Sequence, residues 1–185
     1  MLAFLIIFNV CRATSNNLPD ANTRMADEKE YMDTLSEFIE QVDGVTAAYI
    51  SGEMDKGAYL DRHNVLKNEY AIIKNEFNLW QSKHPYKAGT ESYISARGEQ
   101  AVKDANANVD NLLNCTVIDG EPLQIYELTY RYMDAKDKLQ TSFVEYTVAY
   151  RWLSEKDTLE QDAQNIADDF DKALEELKET TTNDN

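Results

Sequence analysis

The side chains able to do acid–base, nucleophilic or metal chemistry are few: His63, His84, Cys11, Cys115 and a surplus of carboxylates. Two cysteines and two histidines cannot build a zinc site of the usual Cys/His type without help from carboxylates. A carboxylate-bridged di-metal bundle needs Glu-x-x-His on two helices, but Leu60 and Gln81 stand three residues before the two histidines. Asp104-Ala-Asn106-Ala-Asn108-Val-Asp110 matches the first positions of a calcium-binding loop and then fails twice. Its sixth position is Val109, where the loop needs glycine, and its twelfth is Cys115, where it needs a bidentate glutamate. With alanine-rich flanks the stretch reads as helix, and no metal ligand is assigned.

Cys115 has no histidine or basic residue near it in sequence to lower its pKa, so nothing local activates it as a nucleophile. The six glycines never form Gly-x-Gly, and no Gly-x-Ser-x-Gly elbow occurs, which removes the phosphate-loop, dinucleotide and nucleophile-elbow signatures. No catalytic residue and no cofactor are assigned. The enzymatic alternative is a metal-dependent or thiol enzyme whose site assembles from dispersed carboxylates, His63 and Cys115. Asn114-Cys115-Thr116 also matches an N-glycosylation acceptor, making Asn114 a modification candidate in an exported chain.

These residues must be held by a chain of 185 residues with 34 acidic and 18 basic side chains, a formal charge of −16. Its 43% hydrophobic content and 19 aromatics, 11 of them tyrosine, are enough for a packed core. A polyanion of this density repels nucleic-acid phosphates and anionic lipid headgroups, which are usually met by Lys/Arg clusters, so neither is an expected partner. The excess is localised. Residues 25–60 carry 9 acids against 2 bases and residues 155–185 carry 11 against 3, while 61–154 is nearly balanced.

Leu2 to Phe8 form an unbroken apolar run, too short to span a bilayer, which takes about 20 residues. It reads as the apolar centre of a signal peptide over 1–13, with Cys11 and Ala13 spaced as a small-x-small cleavage site, although no Lys or Arg precedes it. Cys11 also stands where an acylated lipoprotein cysteine would lie. Phe8-Asn9-Val10 fits that peptidase poorly, so secretion is the first expectation and lipidation the second. Either way the expected location is extracytoplasmic, and membrane contact would come only through an N-terminal anchor. Residues 14–24 read as a polar tether and 180–185 as a disordered tail.

Between tether and tail, apolar residues recur every three or four positions, the helical period. The fold class this predicts is all-α: an up-and-down bundle of about five helices over 25–179, with coiled-coil-like seams and a long central fourth helix. The second helix, about 56–83, has the clearest seam: Tyr59, His63, Leu66, Tyr70, Ile73, Phe77 and Trp80. That seam makes His63 a core histidine in the first instance. The third helix, about 91–115, offers Ala101, Val102, Ala105 and Val109, small enough for close approach. Asp119-Gly120-Glu121 followed by Pro122 reads as a turn that starts the fourth helix, and no sheet is expected. The fifth helix, about 157–179, carries Leu159, Ala163, Ile166, Phe170, Leu174 and Leu177, with its acids off that seam.

The fourth helix has two apolar stripes on opposite sides. One is Leu128, Tyr132, Ala135, Leu139, Phe143, Tyr146, Tyr150 and Leu153; the other is Leu123, Tyr126, Tyr130, Met133, Val144, Val148 and Trp152. Such a helix is either sandwiched between neighbours or keeps one face for a partner. The expected function is that of an exported or envelope-tethered interaction or structural module without catalysis. Its partner would be an unidentified protein or polymer held on Tyr126, Tyr130, Met133 and Trp152, since aromatics are enriched at binding cores.

Overall fold

The computed structural model describes residues 20–87, 89 and 92–183, with the side chains of 157, 159 and 175–183 left aside. Five helices make the all-α bundle expected from the periodicity: α1 (Ala21–Ser51), α2 (Lys56–Lys83), α3 (Tyr93–Asn114), α4 (Ile125–Ser154) and α5 (Lys156–Asn183). Local chemistry sets the ends. The Asp20 and Asp55 side chains accept the first-turn amides of Thr23 and Ala58 at 2.8 and 2.9 Å, satisfying donors that a helix start leaves orphaned. Ser92 and Ser95 cap α3 reciprocally. Gly52, at φ 80°, ends α1 in the left-handed conformation that glycine adopts without strain.

Three boundaries differ from the sequence reading. Asp20 starts α1 within the expected tether, so Arg24 is a buried helical residue. The backbone of α5 runs helical to Asn183, into the expected tail. The expectation of no sheet is corrected by a small antiparallel hairpin, β1 (Val117–Ile118) with β2 (Glu121–Pro122), in which Val117 faces Pro122. Asp119 and Gly120 both have positive φ, 52° and 78°, the Asp-Gly geometry that twists two strands together. Pro122 is therefore in β2 and α4 starts at Ile125.

The core lies among α1 to α4. The α2 seam is buried from Tyr59 to Phe77 with His63 in it, and Trp80 packs half-buried at its end. α3 and α4 form the most intimate pair: Gly98 lies against Ala149, and Ala101, Ala105 and Ala135 are further small buried residues on the two helices. A Cβ at Gly98 would lie 2.6 Å from Met25 Cε and 3.6 Å from Ala149 Cβ, which measures how close the backbones come. Aromatic pairs join α1 to α2: Tyr31 stacks on Phe77 with centroids 3.7 Å apart, and Phe38 lies 5.7 Å from Tyr70.

α5 is different. It touches the rest of the chain at its junction with α4, and none of its described side chains is buried. Only Glu155 separates the two helices, and antiparallel bundle neighbours usually need two to eight connecting residues. α5 does not fold back along α4.

The contrast is measurable by denaturant unfolding. Leu112→Ala, in the α3 core and fully buried, should cost about 2–5 kcal/mol. Phe170→Ala, on α5, should stay within about 0.5 kcal/mol.

Candidate functional site

α4 is a 30-residue helix without glycine or proline, rigid enough to present a row of side chains. Its first stripe is the core stripe: Leu128, Tyr132, Ala135, Leu139 and Tyr146 are buried and Phe143, Tyr150 and Leu153 half-buried. Two hydrogen bonds fix its rotation. The Tyr146 hydroxyl donates to the Met25 carbonyl at 2.6 Å, and Tyr132 donates to Asp43, which also pairs with Lys136 at 2.7 Å. The opposite stripe then has to face solvent, and from Tyr126 onward it does, whereas Leu123 lies before α4 and is half-buried. Tyr126 is 87% exposed, Tyr130 71%, Met133 52% and Trp152 53%, with Val144 and Val148 beside them.

The four residues singled out from sequence share this face without forming one patch. Tyr126, Tyr130 and Met133 occupy consecutive turns next to the hairpin. Trp152 lies about 28 Å farther along the axis at 1.5 Å per residue, grouped with Val144 and Val148, and the polar run Asp137, Gln140 and Thr141 separates the clusters. Arg131–Glu127 and Lys138–Asp134 ion pairs flank the first cluster.

A second feature had no sequence signal. Where α1 and α4 diverge they leave a groove of about 400 Å³, floored by Met32, Ile39, Leu139 and Phe143 and rimmed by the Lys29–Asp33 and Lys136–Asp43 pairs. Its floor residues look like ordinary seam positions in sequence.

The histidines and Cys115 have structural surroundings. The His63 Nε2–H donates to the Leu113 carbonyl at 2.7 Å, so Nδ1 is the bare nitrogen, buried without a hydrogen-bond partner among the described residues, and burial holds the ring neutral. The Cys115 Sγ donates to the Leu112 carbonyl at 3.3 Å, and burial pushes the thiol up, away from the nucleophilic thiolate. Both lie near Tyr59 at the α2-start and α3-end side of the bundle. Asn114 is exposed, its side chain bonded to Asp110 and Lys67, while Thr116 is buried under the Tyr59 hydroxyl. Among the described residues no three His, Cys, Asp or Glu side chains gather at metal-binding distance, and no helix is long and apolar enough to cross a membrane. Cys11 and the apolar run Leu2 to Phe8 lie outside the described residues.

The strongest electrostatic feature is at the opposite end. Arg24 and Glu28 form a buried ion pair at 3.1 Å. The guanidinium sits between Trp80 and Tyr86, 5.6 and 4.2 Å from their ring centroids, and bonds the His84 carbonyl. This clasps the α2–α3 connection to α1. Among the described residues Glu28 Oε2 has no hydrogen-bond partner, and burial outweighs the attraction of Arg24 to push the carboxyl up to about 7. Comparison with family models, curated proteins and solved structures finds no match.

The sign of the pH effect follows from Glu28. Its folded value lies above the unfolded value of about 4.3, so between the two the folded state keeps a proton that the unfolded chain releases. The associated stability is full below pH 4 and is lost as pH rises through about 7. The Glu28 share of the unfolding free energy should fall from pH 5 to pH 8, by about 3 kcal/mol at most; it is read as the difference between the native chain and Glu28→Gln in parallel denaturant titrations, because His63, held neutral by burial, works in the opposite direction.

Proposed function

We propose that this protein is a non-catalytic helical interaction module, exported or tethered to the cell envelope, that holds a protein or polymer partner on the outer face of α4. The observation carrying this reading is the exposure of Tyr126, Tyr130, Met133, Val144, Val148 and Trp152 on one side of a helix whose other side is buried. Exposed apolar groups in rows mark interaction sites more often than scattered ones do, and tyrosine and tryptophan bind with large contact area and few rotors. Export rests on the Leu2 to Phe8 run and the Cys11/Ala13 spacing. A mature N-terminus at Thr14 would support secretion, a diacylated Cys11 would support anchoring, and a retained Met1 would defeat both.

The enzymatic alternative, built from dispersed carboxylates, His63 and Cys115, draws less support. The histidine's proton is committed to a backbone carbonyl and the thiol is held protonated. Stoichiometric iron, manganese or zinc in the purified, untagged protein would favour it.

The α4 reading is tested by a photocrosslinking residue at position 126 in the producing cell, with and without Tyr130→Ser/Trp152→Ser. The double variant should keep its melting temperature within about 2 °C and lose the crosslinked partner. A collapse in melting temperature would make these residues core, and an unchanged crosslink would remove the α4 face from partner binding.

A further inference from the structure

α5 presents a second apolar row, separate from the α4 face. Ile166 is 70% exposed and Phe170 64%, with Ala163 and Leu174 on the same side. The spacing Ala163, Ile166, Phe170 follows the 3-4 rhythm of a coiled-coil seam, and Leu159 and Leu177 extend it in sequence. Helices in proteins draw most of their stability from packing an amphipathic face, and the described part of α5 packs none of its own. Nor does it lie along its own α4.

Charge identifies the occupant. The row flanking the seam at every seventh residue, Asp162, Asp169 and Glu176, is wholly acidic, and the other flank is Glu160, Ala167 and Leu174. Two copies of α5 paired antiparallel would set acid row against acid row. Paired parallel, each acid row would face a flank with no base. Flanking charges select coiled-coil partners: like-charge juxtaposition disfavours the antiparallel self-pair, and the parallel one leaves the acid row without counter-charge, whereas a basic flank supplies it in either direction.

We propose that α5 is a docking helix for a cationic amphipathic helix of a partner protein, with apolar seam packed on apolar seam and partner lysines or arginines beside Asp162 and Asp169. This stands on α5 alone and does not require the α4 face.

The test uses the full chain and three synthetic peptides. One is a leucine-seamed helical peptide with lysine at the flanking positions, one has the same seam with glutamate flanks, and one has the lysine composition scrambled to destroy the seam. The lysine-flanked peptide should bind, weaken with added salt, and outcompete both others by at least about tenfold. Ile166→Ser/Phe170→Ser should abolish binding with α-helical dichroism retained. Asp162→Lys/Asp169→Lys should shift preference to the glutamate-flanked peptide, and Tyr130→Ser/Trp152→Ser should leave binding unchanged, so the two surfaces fail independently. The proposal is overturned if the lysine-flanked peptide does not bind, if the scrambled peptide binds equally, if the seam variant still binds, if the charge-reversed variant keeps its preference, or if the Tyr130/Trp152 variant loses binding. A dimer in sedimentation that Ile166→Ser/Phe170→Ser dissolves would likewise overturn it, because the occupant would then be a second copy.

Discussion

The bundle depends on how its core tyrosines satisfy their hydroxyls, because an unpaired buried phenol gives back part of what burial of its ring gains. Four buried tyrosines meet it across helices. Tyr31 and Tyr70 converge on Asn106 of α3, Tyr132 reaches Asp43 of α1, and Tyr146 reaches the Met25 carbonyl. Burial pushes all four phenols up, so they stay protonated donors. Apolar stripes alone would let helices slide or rotate against one another. These directional bonds remove that freedom, and by fixing the rotation of α4 they decide which of its two stripes faces water.

Much of this was legible in the sequence, because helical periodicity reports which side of a helix is apolar. The α2 seam, the small-residue contacts of α3 and the first stripe of α4 all sit where their spacing put them. Periodicity does not report what covers an apolar side. The α5 seam was as regular as any other, yet it stands uncovered, because hydrophobic spacing does not encode the course of the chain after Glu155. The second α4 stripe was ambiguous for the same reason.

Other misses were matters of competing chemistry. Asp119-Gly120-Glu121 reads as a turn leading straight into a helix because Pro122 suits a first turn; two positive φ angles make the turn a hairpin, and Pro122 falls in its second strand. Arg24 read as tether because charge suggests solvent, whereas Glu28, Trp80 and Tyr86 enclose it. Asn106 and Asn108, which stood out as calcium-like spacing, tie α3 to its neighbours: Asn106 accepts the two tyrosines, and Asn108 donates to Lys138 and Ser142 of α4. Their spacing reflects a helix with polar contacts on more than one side.

α1 to α4 bury one stripe each, while α4 and α5 keep apolar rows in water, as α2 does at Val65, Ile72 and Leu79. Hydroxyl-radical footprinting of the intact chain reads that contrast residue by residue. The account predicts rapid oxidation of Tyr126, Tyr130, Trp152 and Phe170 alongside protection of Tyr31, Tyr59 and Tyr146. Equal protection of both sets would contradict it, because the outer rows would already be covered within the chain itself.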